Sequence, residues 1–354
     1  MTDRGGELLR SGRPWLVPAI GCVVLLIASF ILAVLLGGSE LTPRQALEAL
    51  FGGRGDGTIP HDRIEARRVA IVSVRVPRVV LAALLGASLA PAGAAYQGLF
   101  RNPLADPYIV GVASGAGLGA TIVIAVAGSF AAATIYAVPL GGFVGGAAAV
   151  GCVILIARAR GTTSTATLLL AGVAVGALAS ALTTFIMMSS PDGVRRVFQW
   201  LHGGYTAGGW QPILIVVPYA LLGLVGLLAC AHPLNVLQLD EEEARQLGIA
   251  VERVKLVTLG SATLMTAAAV AFGGLLGFVG LVVPHVLRLL GVRDHRALIP
   301  LSAIGGAAFL VLADLVARVA IAPRELPTGV ITALVGGPFF LALLARGSRV
   351  EGRS

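Results

Sequence analysis

Few residues in this chain are equipped for chemistry, and their spacing rules out most of it. The single lysine, Lys255, follows Val254 rather than a glycine-rich turn, so no phosphate-cradling Gly-Lys-Ser/Thr loop exists and the chain carries no ATPase site of its own. The run Gly115-Ala-Gly-Leu-Gly119 has the glycines of a dinucleotide loop at the wrong spacing, with apolar sequence after it, and reads as a packing surface. There is no His-Glu-x-x-His, no Gly-x-Ser-x-Gly and no aspartate pair inside an apolar segment, which leaves an intramembrane protease or hydrolase without support. Cys22, Cys152 and Cys230 each lie within an apolar stretch without metal-ligand or redox spacing, so no metal site is expected. Asp314 and Arg318, one helical turn apart, are the clearest ionisable residues away from segment ends, and they suit an i,i+4 pair better than a proton pathway. His285, directly after Pro284, reads as a satisfied histidine beside a helix-breaking proline rather than a metal or haem ligand.

The elements that hold these residues follow from composition. Of 354 residues 56% are hydrophobic and only 12% charged, with 47 glycines and a mean hydropathy of +0.90. A soluble domain carries about 25% charged residues, so this is an integral membrane protein and not a soluble enzyme, a disordered chain or a nucleic-acid binder. Charged and Gly/Pro-rich breaks mark ten apolar segments: 15–36, 76–100, 108–127, 131–157, 167–188, 212–231, 256–272, 275–290, 298–321 and 326–344. The expected architecture is all-α, one polytopic domain over 1–354. The first run is too long for a signal peptide and lacks a cleavage site after it.

An even number of spans puts both termini on one side. Basic residues concentrate there, at Arg4, Arg10, Arg13, Arg101, Arg158, Arg245, Arg253, Lys255, Arg293 and Arg296 among others, while the far side holds Arg195, Arg196, Arg318 and Arg324 outside the long connection 37–75. Both termini are therefore expected in the cytoplasm and 37–75 outside it, with Thr42-Pro43 opening a short surface helix. The net charge of +8 reads as this topology rather than as a polyanion site. Glycines four apart, Gly115/Gly119, Gly141/Gly145, Gly142/Gly146, Gly172/Gly176 and Gly273/Gly277, predict helix–helix packing faces.

A transport path without coupling charges must draw energy from outside the chain, so the cytoplasmic surface should hold a docking element. Residues 240–255 fit: Asp240 as N-cap, Glu243 as its capping-box partner, Ala244 and Leu247 on an apolar side, Gly248 as the stop, then Val251 and Val254 opening a second short helix.

Several segments resemble one family in order along the chain. These are Arg75-Val-Pro-Arg78, Gln97-Gly-Leu-Phe-Arg-Asn-Pro-Leu-Ala-Asp-Pro107, Leu168-Leu-Leu-Ala-Gly-Val173, Trp200-Leu-His-Gly-Gly204, Ala244-Arg-Gln-Leu-Gly248, Gly277-Phe-Val-Gly-Leu-Val-Val-Pro-His-Val-Leu-Arg288 and Glu325-Leu-Pro-Thr-Gly-Val330. Together, over about 15–345, they resemble the permease subunits of type II ABC importers, which take up ferric siderophores, haem and cobalamin. The resemblance implies the ten-span permease fold, a second copy of the chain as partner, two separate cytoplasmic ABC ATPase subunits holding the ATP and Mg, an extracytoplasmic substrate-binding protein, and a bacterial or archaeal cytoplasmic membrane. It implies no cofactor on this chain and no nucleic acid.

By the same resemblance, Asp240, Glu243, Ala244, Arg245, Gln246, Leu247 and Gly248 contact the ATPase. Arg75, Arg78 and Arg318 dock the binding protein, against the plainer reading of Arg75 and Arg78 as interfacial anchors. Asn102, Leu104, Ser164 and Thr165 line a cytoplasmic gate, although Ala166 breaks the polar pattern and Asn102-Pro103 is also a turn former. Arg195, Arg196 and His202 stand at a candidate substrate mouth. The expected function is inward transport of an iron complex or related large cofactor, with siderophore ahead of haem and cobalamin. The competing reading is a proton- or cation-coupled secondary transporter.

Overall fold

The computed structural model describes residues 15–37, 42–51, 68–127, 131–159, 164–189, 194–203 and 208–351. In chain order the helices are α1 (Leu16–Leu35), α2 (Pro43–Phe51), α3 (Val76–Leu99), α4 (Val112–Ala127), α5 (Ala131–Arg158), α6 (Thr165–Ser189), α7 (Val194–Leu201), α8 (Gln211–Val236), α9 (Glu241–Gln246), α10 (Val251–Gly273), α11 (Val279–Leu289), α12 (His295–Val319) and α13 (Thr328–Glu351). A π-helical turn, Ile71–Arg75, leads directly into α3, so that helix runs unbroken from Arg68 to Leu99. Among the described residues seven helices are long and apolar enough to cross a membrane, and shorter apolar helices at Val112–Val126, Val279–Leu289 and Thr328–Leu343 fill the other three predicted segments.

α3 sits at the centre, and every residue from Ser88 to Leu99 is buried. It gets there by having no side chain where its neighbours cross. A Cβ on Gly86 would fall 2.6 Å from the carbonyl carbon of Gly306 in α12, and one on Gly93 would fall 2.5 Å from Cα of Gly280 in α11. In lipid, where apolar burial drives no helix association, such close approach gains dispersion contacts that larger residues would forbid. The predicted pairs Gly115/Gly119 and Gly141/Gly145 interlock in the same way between α4 and α5, a Cβ on Gly141 lying 2.7 Å from the Gly119 carbonyl oxygen. Gly172 packs on the backbone of Ile109 and Val110.

Three expectations are corrected. The segment 275–290 is not one full span. Residues 274–278 are non-helical, with Gly274 and Phe278 both at φ +68°, and the 11 residues of α11 rise only about 16 Å against a hydrocarbon core of about 30 Å. Gly273 and Gly277 therefore form no packing face, since the break removes their helical spacing, and the β-position of Gly277 opens on empty space. Val251 opens the long helix α10 rather than a second short one, because the apolar run behind it continues to Gly273 without a stop.

The break at 274–278 exposes backbone groups among spanning helices, and Tyr108 answers them. Its hydroxyl accepts from Leu276 N at 3.0 Å and donates to Leu276 O at 3.2 Å. At the start of α2, Thr42 and Gln45 bond reciprocally, each side chain accepting from the other's backbone N–H at 3.3 and 3.1 Å, as the Thr42-Pro43 signal predicts. The middle of the connection 37–75 lies outside the described residues.

Two faces result. The lower one gathers the end of α3 with 101–106, the α8–α10 connection and 290–296. The upper one gathers the end of α1, residues 71–78, and the α12–α13 connection.

Substituting Gly86 with Val is expected to abolish the folded, monodisperse protein, because backbone atoms of α12 cannot yield. Gly21→Ala in α1, whose Cβ meets nothing within 4 Å, should be tolerated. Fluorescence-detected size exclusion of both variants checks the difference.

Candidate functional sites at the two faces

On the lower face α9 is a single short helix with both ends fastened. Asp240, in extended backbone, caps it by accepting from Glu241 N at 2.7 Å, and three acidic residues fill its first turn, where the helix dipole favours them. Among the described residues no hydrogen bond returns from the Glu243 side chain to Asp240, so the capping box is corrected. Arg101 takes the outer position instead, Nη1 to Asp240 Oδ1 at 2.9 Å. That hydrogen bond, with the Glu241 N–H, holds the Asp240 carboxyl below the usual carboxylate range. The cap is thus complete above the ordinary aspartate pKa of about 3.9, and it is lost only as pH falls through the lower folded value.

The helix ends as Gly248, at φ +81°, donates to Arg245 O and Ile249 donates to Ala244 O. Lys255, buried in α10, reaches Glu241 Oε2 at 2.7 Å and ties the two helices together. Ala244 is buried beneath the turn, Arg245, Gln246 and Gly248 are exposed, and Leu247 is 65% exposed. The outcome is a fastened protrusion with an uncovered leucine at its C-terminal end.

A second fastening on this face was not legible in the residue types. Asn235 Oδ1 accepts from His295 N at 2.9 Å and pairs with its Nδ1 at 2.7 Å, while Asn235 Nδ2 donates to Asp294, the cap of α12. Nearby, Gln97 Nε2 donates to Gly280 O at 3.1 Å and its Oε1 accepts from Arg288, anchoring the end of α3 to α11 just before the 101–106 turn. Gln97 opens a quoted motif, but its partners lie more than 180 residues on.

The candidate gate residues form two separate local structures. Asn102 Oδ1 accepts from Leu104 N at 2.9 Å and its own N–H donates to Gln97 O, so it shapes a turn. Ser164 caps α6 through Thr167 N at 3.2 Å, with Thr165 the first helical residue. Among the described residues no hydrogen bond or ion pair joins the two segments.

On the upper face the three arginines form a network within the chain. Arg75 Nη1 donates to Val34 O at 2.9 Å and Leu35 O at 3.4 Å, and Arg318 Nη2 donates to Ala33 O at 3.2 Å. These are carbonyls at the C-terminus of α1, which has no helical partner for them. Arg318 Nε lies 2.9 Å from Asp314 Oδ2, at an angle that makes an ion pair rather than a hydrogen bond, in keeping with the predicted i,i+4 pairing. Arg78 gives Nε and Nη2 to Asp314 Oδ1 at 3.1 and 3.0 Å, and Nη1 to Glu325 Oε2 at 2.7 Å. Thr328 Oγ1 adds a longer contact to Asp314 at 3.4 Å.

Arg75 and Arg318 are both buried, drawn in by the α1 carbonyls and by Asp314, whose side chain is 1% exposed. Gly37 leaves Arg75 room, since a Cβ there would lie 2.8 Å from its guanidinium carbon. Arg78 alone of the three keeps an exposed edge, at 24%.

Arg195 and Arg196 are exposed on α7. His202 is taken up locally, its Nδ1 2.8 Å from Phe198 O and its ring 4.0 Å from that of Phe198. Among the described residues no cluster of three or more His, Cys, Asp or Glu side chains could hold a metal ion.

Comparison with known proteins gives consistent matches. Residues 25–346 match the FecCD transport family. The chain is 46% identical over 280 residues to the cobalamin import system permease protein BtuC of Halobacterium salinarum, covering 79% of this chain and 74% of that one. It is 41% identical over 281 residues to the hemin transport system permease protein HmuU of Yersinia pestis, covering 78% and 83%. Among solved structures, an inward-facing conformation of a metal-chelate type ABC transporter superposes with a TM-score of 0.78 at 28% identity, over 94% of this chain and 99% of that one.

Asp314→Asn would leave Arg318 buried without its counter-charge and is expected to cost roughly 3–5 kcal/mol of stability. Denaturant unfolding in micelles against the wild type measures this.

Proposed function

The chain belongs to the FecCD transport family and is a multi-pass permease of an ATP-binding-cassette importer, and we propose that it carries a large metal chelate into the cytoplasm: a ferric siderophore, haem or cobalamin. The observation that carries this reading is the agreement between the match over 25–346 and the lower-face protrusion, a capped helix followed by Leu247, which no described segment covers. In the proposed cycle two copies of the chain enclose the pathway. Separate ATPase subunits bind ATP and Mg, grip the 240–255 protrusion and swing the copies between inward- and outward-facing states. The lower face is then cytoplasmic, in a bacterial or archaeal inner membrane with both termini on that side. The cargo assignment draws on relatives named for cobalamin and hemin and on an apolar, glycine-lined bundle that suits large chelated cargo.

For docking of the binding protein, the network supports a division of labour: Arg78 meets the partner's carboxylates, and Arg75 and Arg318 hold α1 and α12 under it. The cytoplasmic gate is assigned to Asn102, Leu104, Ser164 and Thr165, and the substrate mouth to Arg195, Arg196 and His202. A proton- or cation-coupled transporter has no support, because the pair it would use, Asp314 and Arg318, is spent on fastening helices.

The chain reconstituted with its ATPase and binding protein should take up ferric siderophore only with ATP. Leu247→Asp should lower uptake tenfold or more without loss of folded protein, as a charge replaces the uncovered leucine; uptake at wild-type rates would remove the coupling role. Reporter fusions test the orientation: a C-terminal fusion active inside and one within 52–67 active outside are expected.

A further inference from the structure

The half-exposed end of the Arg78 guanidinium is already occupied by a carboxylate of this chain. Its Nε and Nη2 face Asp314, which is 1% exposed and is also held by Arg318 and Thr328, so that side is fixed. Its Nη1 faces Glu325, which is 48% exposed and 2.7 Å away. We propose that Glu325 is a placeholder carboxylate: it fills the docking position on Arg78 while the permease stands alone and must give way when a partner's acidic side chain arrives. This rests on the docking reading above.

The local backbone is built for such an exchange. Glu325 lies on the α12–α13 connection, pinned on either side of it by Leu326 N to Ala317 O at 2.9 Å and by Arg324 N to Ile321 O at 3.1 Å. The carboxylate can therefore rotate away while the connection stays in place. Electrostatics makes the exchange competitive. Among the described residues the cluster holds three arginines (Arg75, Arg78, Arg318) against two carboxylates (Asp314, Glu325), a net of +1. A docking carboxylate that left Glu325 in place would put a third anion beside Asp314, and like charges at that range repel. Removing the Glu325 charge raises the cluster to +2 and frees the exposed edge of Arg78. An exposed pair is a weak one, so Glu325 slows and weakens docking without preventing it. Such a contact would set a threshold, favouring partners whose carboxylates outbid an internal one.

The experiment measures binding of the cognate substrate-binding protein to the permease in nanodiscs across a salt series, for wild type, Glu325→Gln, Arg78→Gln and the double variant. Glu325→Gln is expected to bind about two- to fivefold tighter at low salt, the gain shrinking as salt screens the pair. Arg78→Gln should weaken binding, and in the double variant Glu325→Gln should bring no gain. Unchanged or weaker binding by Glu325→Gln, with Arg78→Gln impaired, overturns the placeholder and leaves the docking reading standing. Full binding by Arg78→Gln overturns both. Should Arg78→Gln fail to fold, the Glu325→Gln arm still decides, because Glu325 is 48% exposed and Arg78 keeps its fixed pairing with Asp314 when that charge is removed.

Discussion

No water reaches the hydrocarbon core of a membrane to satisfy a backbone group, so every place where a helix of this chain ends or breaks must be answered by another part of the chain. The irregular stretch 274–278 is answered by the Tyr108 hydroxyl, the end of α1 by Arg75 and Arg318, and the Gly280 carbonyl, which Pro284 leaves without its helical donor, by Gln97. These contacts are long in sequence and short in space, and they decide which helices are neighbours. Glycine crossings then bring the neighbours close enough for dispersion to hold them.

The same constraint joins the two faces. α3 begins at Arg75 and Arg78 and ends at Gln97 and Arg101. α12 begins at Asp294 and His295 and ends at Asp314 and Arg318. Gly86 and Gly306 lock the pair at mid-length. α3 thus leads from the charged network above to the protrusion below through Arg101, α12 leads from the same network to Asn235 at the end of α8, and a packed pair without side chains at its crossing can shift only as a unit. The chemistry at its ends differs: below, an exposed leucine after a capped helix suits a protein surface that buries it; above, a buried anion distributes arginines between structure and exposure.

Charge alone would mislead on that upper face. Arginines at span ends in an apolar chain suggest outward contacts, yet two of three turn inward, since unsatisfied carbonyls in low dielectric compete for a guanidinium more strongly than water or a transient partner does. Glu325 and Gln97 drew no role from the sequence although both open recognisable segments, because each acts through a partner on a distant helix.

The sequence by itself determined which ten segments are apolar, where α2 and α9 are capped, that Asp314 pairs with Arg318, and that the one lysine sits in no glycine-rich phosphate loop. All of these depend on residues within a few positions of one another, where spacing maps directly onto helical geometry. Tertiary structure alone decided that α11 is half a span, that Gly86 meets Gly306, that Arg318 reaches Ala33 across 285 residues, and that Arg78 keeps its open edge under Glu325. Each of those requires knowing what lies across the bundle, and helical periodicity states which way a side chain points without stating what it meets there.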